Sequence, residues 1–132
     1  MADIFISYIH EEEKVARAVR DYLVALVPGA EAFISSDKFQ IYAGQDWLSA
    51  IFAALKSAKV VVLILSKDSV SRPWVNFEAG AAWLGKKAVI PACFNGLKKD
   101  KLPKPYSSLQ ALNLNEKDDQ HYLAASVCHF LN

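Results

Sequence analysis

Residues 59–83, KVVVLILSKDSVSRPWVNFEAGAAW, read as a strand, a polar turn and a helix, and the rest of the chain is arranged around them. Val60 to Leu65 is an unbroken apolar run dominated by Val and Ile. Such a run fits a parallel strand covered on both faces better than a half-wet antiparallel one. Ser66-Lys67-Asp68-Ser69 breaks it. Pro73 is acceptable in the first turn of the following helix, where no intrahelical donor is lost. Val75, Ala79 and Ala82 recur at helical spacing and are predicted to face the sheet. Trp74 and Glu78, one turn apart, share a different face. Gly80 lies mid-helix, where it costs about 1 kcal/mol against Ala, and this predicts close backbone packing. A Glu beside a Trp, on a helix leaving a buried strand, is the feature that needs a reason.

The remaining sequence bounds the answer. A chain of 132 residues is the length of one domain, residues 1–132, and folding should bury roughly two thirds of its unfolded surface. With 53% hydrophobic and 22% charged residues a packed core is expected. The net charge of +1, with no concentrated basic face, disfavours nucleic acid as the main ligand. No apolar run approaches the ~20 residues of a membrane span, and MADIFISY does not read as a secretory signal. Cys93 and Cys128 are far apart and form no CxxC, so two reduced thiols in a cytoplasmic protein are expected. His10, His121 and His129 have no metal-ligand spacing, and neither GxGxxG nor GxxxxGKS/T occurs.

In chain order, Asp3 to Tyr8 reads as a first strand, and a helix follows from about Glu12 to Leu26. Val15, Ala18, Val19, Tyr22, Leu23 and Leu26 form its apolar stripe, and acidic residues at its start suit the helix dipole. Pro28-Gly29 ends that helix. Ala32 to Ser35 is a short second strand, and Ser36 to Gly44 a long loop carrying Phe39, Ile41 and Tyr42. A second helix covers Trp47 to Ser57, with Leu48, Ile51, Phe52 and Leu55 inward. After residues 59–83, Ala88 to Phe94 is a fourth strand. Pro91 within it is a contradiction, because proline cannot donate to a ladder and prefers an edge. Asn95 to Ser108 reads as loop, its lysine-rich part (Lys98 to Lys104) as a solvated one. Ala111 to Leu114 is a brief fifth strand, and Asp118 to Leu131 a closing helix capped by Asp118 or Asp119.

Strands alternating with helices predict a three-layer α/β/α domain with a five-stranded parallel sheet. Right-handed crossovers favour the flavodoxin-like order 2-1-3-4-5. Ligands of such sheets bind beyond the carboxyl ends of the strands where the winding reverses. The first strand delivers Ser7 and Tyr8 there, the third leads to Trp74 and Glu78, and the loop from Phe39 to Trp47 opens on the same side. Three separate pieces converge on one crevice.

At these residues the sequence resembles the TIR (Toll/interleukin-1 receptor) domain family, particularly its bacterial, NAD-cleaving branch. The resemblance is carried by DIFISY, by FISSDKFQIYAGQDW, by VVVLILSKDSVSRPWVNFEAGAA and by AVIPACF, in order and over nearly the whole chain. It implies cleavage of the nicotinamide–ribose bond of NAD, as substrate with no further cofactor, by one Glu on the third helix. The family's Trp-x-x-x-Glu matches Trp74 and Glu78, so Glu78 takes the catalytic position. Ser7, Tyr8, Phe39, Trp47 and Trp74 are the expected substrate contacts. Ile9-His10 departs from the Ser-His or basic residues that relatives often show. The resemblance also implies self-association with other TIR domains. Because the chain ends directly after its last helix, it is expected to be one domain of a longer protein, joined to a sensor.

One carboxylate suffices for this chemistry. Glycosidases use two because the leaving oxygen needs a proton. Nicotinamide in NAD is already cationic and leaves neutral, so what remains is an oxocarbenium-like ribose that an anion stabilises. Attack by water gives ADP-ribose, and attack from within the molecule gives a cyclic isomer. The rival expectation is a non-enzymatic TIR–TIR adaptor, with the Ser36–Gly44 loop and the third helix as its contacts. A nucleoside-processing enzyme on the same scaffold is a third.

Overall fold

The computed structural model describes residues 2–36 and 47–132, with backbone only at Ser36, Trp47 and Leu48. The strands are β1 (Ile4–Tyr8), β2 (Ala32–Ser36), β3 (Val60–Leu65), β4 (Ala88–Cys93) and β5 (Leu112–Asn113). The helices are α1 (Glu13–Leu26), α2 (Trp47–Ser57), α3 (Pro73–Leu84) and α4 (Lys117–Leu131). The strands form one five-stranded sheet in the order β2-β1-β3-β4-β5, with every pair parallel. This is the flavodoxin-like arrangement expected from the sequence.

The two faces of β3 show why its six residues are all apolar. Val61, Leu63 and Leu65 pack with Phe5, Ile51, Val75 and Ala79 beneath α2 and α3. Val60, Val62 and Ile64 pack with Ile4, Ile6, Leu23, Leu123 and Val127 beneath α1 and α4. A strand covered on both faces has no position for a polar side chain.

Several local expectations are corrected. A short 3-10 turn, His10–Glu12, precedes α1, whose inward line is Ala16, Val19 and Leu23. Ala18 and Leu26 face outward because Val27, just past the helix end, takes the inward position at 3% exposure. In α2, Ile51 and Leu55 are buried while Phe52 is 44% exposed, and the side chain of Leu48 lies outside the described residues. The N-cap of α4 is Glu116, with no side-chain cap bond. Asp119 instead accepts from the Asn113 amide at 2.8 Å and from Lys99 Nζ at 3.0 Å, tying β5 and the 99–101 turn to α4. Gly80 faces open space, with nothing near where its Cβ would be, so close packing does not explain it. Pro91 is tolerated because β5 pairs only with Ala92 and Cys93, which leaves β4 an open edge at the proline. Cys93 and Cys128 are free thiols, and burial pushes Cys93 up to about 11.

Candidate active site

The site is set by the register of two strands. Beside β1, β2 aligns Phe5 with Phe33, Ile6 with Ile34 and Ser7 with Ser35. The tripeptide Phe-Ile-Ser thus lies against a second copy of itself. Strand alternation puts the Phe and Ser of each copy on the α2/α3 side. There Phe5 stacks on Phe33 with centroids 5.5 Å apart, and two rungs further on the two serines stand side by side.

Glu78 descends from α3 onto this pair. Ser7 Oγ donates to Glu78 Oε1 at 2.5 Å, and Ser35 Oγ donates to Oε2 at 2.6 Å. All three residues are 0% exposed. Glu78 therefore lies on the buried side of α3 with Val75, Ala79 and Ala82, rather than on a separate face. A buried carboxylate is tolerated only when its oxygens are hydrogen-bonded, and each here has a short hydroxyl donor. Trp74, half-buried one turn earlier, packs on the apolar layer under α3 and stacks on Phe77 with centroids 6.0 Å apart.

The start of α3 is held from several directions. Ser66 Oγ donates to Glu12 Oε2 at 2.6 Å and accepts from the amides of Ser69 (3.1 Å) and Asp68 (3.2 Å). Arg72, the N-cap of α3, donates to Glu11 Oε2 at 2.5 Å. Asn76 Nδ2 donates to the carbonyls of Val70 and Arg72, and the Tyr106 hydroxyl donates to Asn76 Oδ1. Burial raises the Tyr106 phenol above its usual range. Burial also raises Glu12, reinforced by Asp68 and Glu11 and opposed by the Ser66 hydrogen bond and by Arg72.

Of the residues singled out in the sequence, Ser7 and Glu78 are brought into direct contact, with Trp74 on the same helix. Tyr8, at 4% exposure, packs in the opposite layer with Ile4 and Ile6, as alternation along β1 requires. Phe39 and the side chain of Trp47 lie outside the described residues. Ser35, Glu12, Ser66, Asn76 and Tyr106 were not foreseen. For Ser35 a signal existed, the repeated Phe-Ile-Ser of Phe5–Ser7 and Phe33–Ser35. Among the described residues no cluster of His, Cys, Asp and Glu could hold a metal, and no helix is long and apolar enough to cross a membrane. Cavities of about 390 and 580 Å³ lie against α1/α4 and against β4/α4, and Glu78 lines neither.

The model of the TIR domain family matches residues 4–126. No curated protein matches the chain. Among solved structures, the TIR domain of the Toll-related receptor TRR-2 from Hydra magnipapillata aligns at a TM-score of 0.72 and 15% identity, over 96% of this chain and 98% of that one. A TIR-STING receptor from C. gigas, in complex with 2',3'-cGAMP, aligns at 0.70 and 21% identity over 99% of this chain. This chain spans 39% of that receptor's length. The TIR domains of the activated Roq1 resistosome, which directly recognises the pathogen effector XopQ, align at 0.57 and 16% identity, over 98% of this chain and 83% of that one. At these identities the neighbours speak for the fold, while the family model covers nearly every element from β1 into α4, so the chain belongs to the TIR domain family.

Proposed function

We propose that this TIR domain cleaves the nicotinamide–ribose bond of NAD, with Glu78 as the catalytic carboxylate. The observation that carries this reading is a fully buried Glu78 gripped by Ser7 and Ser35 at the carboxyl ends of two neighbouring strands. That is the end of the sheet where ligands of this fold bind. A buried carboxylate weakens a fold unless it is compensated, and an apolar side chain of similar volume would meet no such cost.

In the proposed reaction nicotinamide departs neutral, and positive charge spreads over the ribose. Glu78 stabilises that charge from a site where water does not compete. In the state described here both carboxylate oxygens are already engaged by serine hydroxyls. Each oxygen could accept a further hydrogen bond, but Glu78 is 0% exposed, so catalysis requires its cover to open to the sugar. This suits an enzyme that is quiet alone and switched on by assembly with other copies. Phe39, Trp47 and Trp74 are retained as proposed substrate contacts, and Tyr8 becomes one only by leaving the opposite layer, where it packs at 4% exposure. The remaining assignments rest on the family resemblance and on the Roq1 neighbour, whose described form is an activated resistosome. They are a cytoplasmic effector of a bacterial immune system and a sensor elsewhere in a longer chain.

One observation favours a second reading, a non-enzymatic interaction module. Phe52, Phe77, Trp83 and Leu84 on α2 and α3 are 44%, 46%, 36% and 89% exposed, and Phe52 and Phe77 contact each other with centroids 6.0 Å apart. Exposed apolar clusters commonly mark protein interfaces. Concentrated protein incubated with NAD, with products resolved by chromatography and mass, separates the readings. The enzyme releases nicotinamide, and its co-product has the mass of ADP-ribose or of a cyclised isomer. An adaptor releases none, even when assembled.

A further inference from the structure

Glu12 is a second buried carboxylate, and the chemistry above has no use for it. It is 8% exposed, and its Oε1 is buried with no hydrogen-bond partner among the described residues. Its other oxygen takes the single proton of the Ser66 hydroxyl at 2.6 Å. That leaves both lone pairs of Ser66 Oγ free for the amides of Asp68 and Ser69, which shape the turn leading into α3. Ser69 Oγ closes the same turn, accepting from the Ser66 amide at 2.8 Å and donating to the Ile64 carbonyl at 3.2 Å. The neighbouring Glu11 holds Arg72, the N-cap of α3, from the same short segment after β1.

We infer that Glu12 is a positioning residue for Glu78, acting through Ser66 on the turn that launches α3. The inference rests on the NAD-cleaving reading. β1 and the 3-10 turn after it then grip α3 at two levels, Ser7 on the carboxylate itself and Glu12 on the turn before the helix. A hydrogen bond to a charged acceptor is roughly twice as strong as one to a neutral acceptor. Reaction geometry is sensitive enough that a shift of about 1 Å costs on the order of 100-fold in rate. The placement of an ionised carboxylate here, with one oxygen unmatched and Asp68 and Glu11 of like charge nearby, works against stability. Arg72 is the one facing cation among its described electrostatic neighbours. A group retained at a cost to the fold is expected where the geometry of a site depends on it.

Glu12→Gln keeps the size and an acceptor but removes the charge. The expected result at pH 8 is a fall of about tenfold in kcat for nicotinamide release, with KM nearly unchanged, from one weakened charge-assisted bond. The unfolding temperature stays the same or rises. As pH falls and Glu12 takes up its proton, the ratio of wild-type to variant kcat closes toward one. Hydrogen–deuterium exchange gives a readout that does not need turnover. The amides of Asp68, Ser69 and Val70 exchange faster in the variant, while those of β1 and β3 do not. Wild-type kcat and wild-type exchange in the variant overturn the inference. A lower unfolding temperature with faster exchange throughout the sheet also overturns it, because Glu12 is then only structural. If assembled wild-type protein releases no nicotinamide, the NAD-cleaving reading fails, and exchange in the turn alone decides whether Glu12 sets the start of α3.

Discussion

Glu78 and Glu12 are the same residue type, both nine-tenths or more buried, both facing strand-end serines, and built to opposite standards. Glu78 sits across two neighbouring strands, and each oxygen has a hydroxyl donor within 2.6 Å. Glu12 sits in a short turn, with one oxygen matched by Ser66 and the other unmatched among the described residues. The difference teaches that burial alone does not define a site. What separates the two is who supplies the donors. Register pairing delivers Ser7 and Ser35 together to Glu78, and such pairing is rigid. A single serine in a turn serves Glu12, so its hold depends on charge.

Removing the charge at Glu78 gives the largest expected effect. Glu78→Gln should lower nicotinamide release by about 10³-fold, since a preorganised electrostatic partner of the transition state commonly contributes 10²–10³ or more. Circular dichroism and self-association of this variant should match the wild type, because the size is kept, the Gln carbonyl still accepts from one serine and its NH2 group can donate to the hydroxyl oxygen of the other.

Next come the serines. Ser35→Ala, or Ser7→Ala, leaves a buried carboxylate oxygen unmatched, and urea unfolding should show a loss of about 1–3 kcal/mol. In a Glu78→Gln background the same substitutions should cost less. A double-mutant cycle with no coupling would contradict the contact.

Glu12 predicts a pH dependence of definite sign. Its folded value is raised, mainly by burial, so the folded state binds the proton more tightly than the unfolded one. The stabilisation from protonated Glu12 is fully present below the unfolded value and is lost as pH rises through the raised one. Wild type should therefore gain stability relative to Glu12→Gln as the solution is acidified through that window. Equal slopes for the two proteins would break the comparison.

Asp119, half-buried at the start of α4, is the control and should give the smallest effect. The Asn113 amide and Lys99 hold it below the usual carboxylate range, so its contribution is present above the unfolded value and lost on acidification, the opposite sign to Glu12. Asp119→Ala should loosen β5, read by exchange at Asn113, without altering nicotinamide release.

Much of the fold was legible because its signals are local. The apolar run Val60–Leu65, Pro73 at a helix start and Pro28-Gly29 at a helix end are each decided within a few residues. The sheet order followed from the handedness of crossovers. The site was legible only in part. Glu78 stood out through its spacing from Trp74, and Ser7 through its place at a strand end. Ser35 did not, because the end of a short strand looks like the beginning of a loop until the pairing with Ser7 is known. The run Glu11-Glu12-Glu13 read as an acidic helix start. In the structure the first two turn away to Arg72 and Ser66, partners about 54–61 residues distant in sequence. Tyr8 shared a strand end with Ser7, but alternation sends it to the other layer.

The most direct test of the central claim is nicotinamide released from NAD by wild type and by Glu78→Gln, compared at the same assembled fraction. The account predicts release from the wild type that grows with assembly, and none above background from the variant. Equal release from both, or none from assembled wild type, would contradict it.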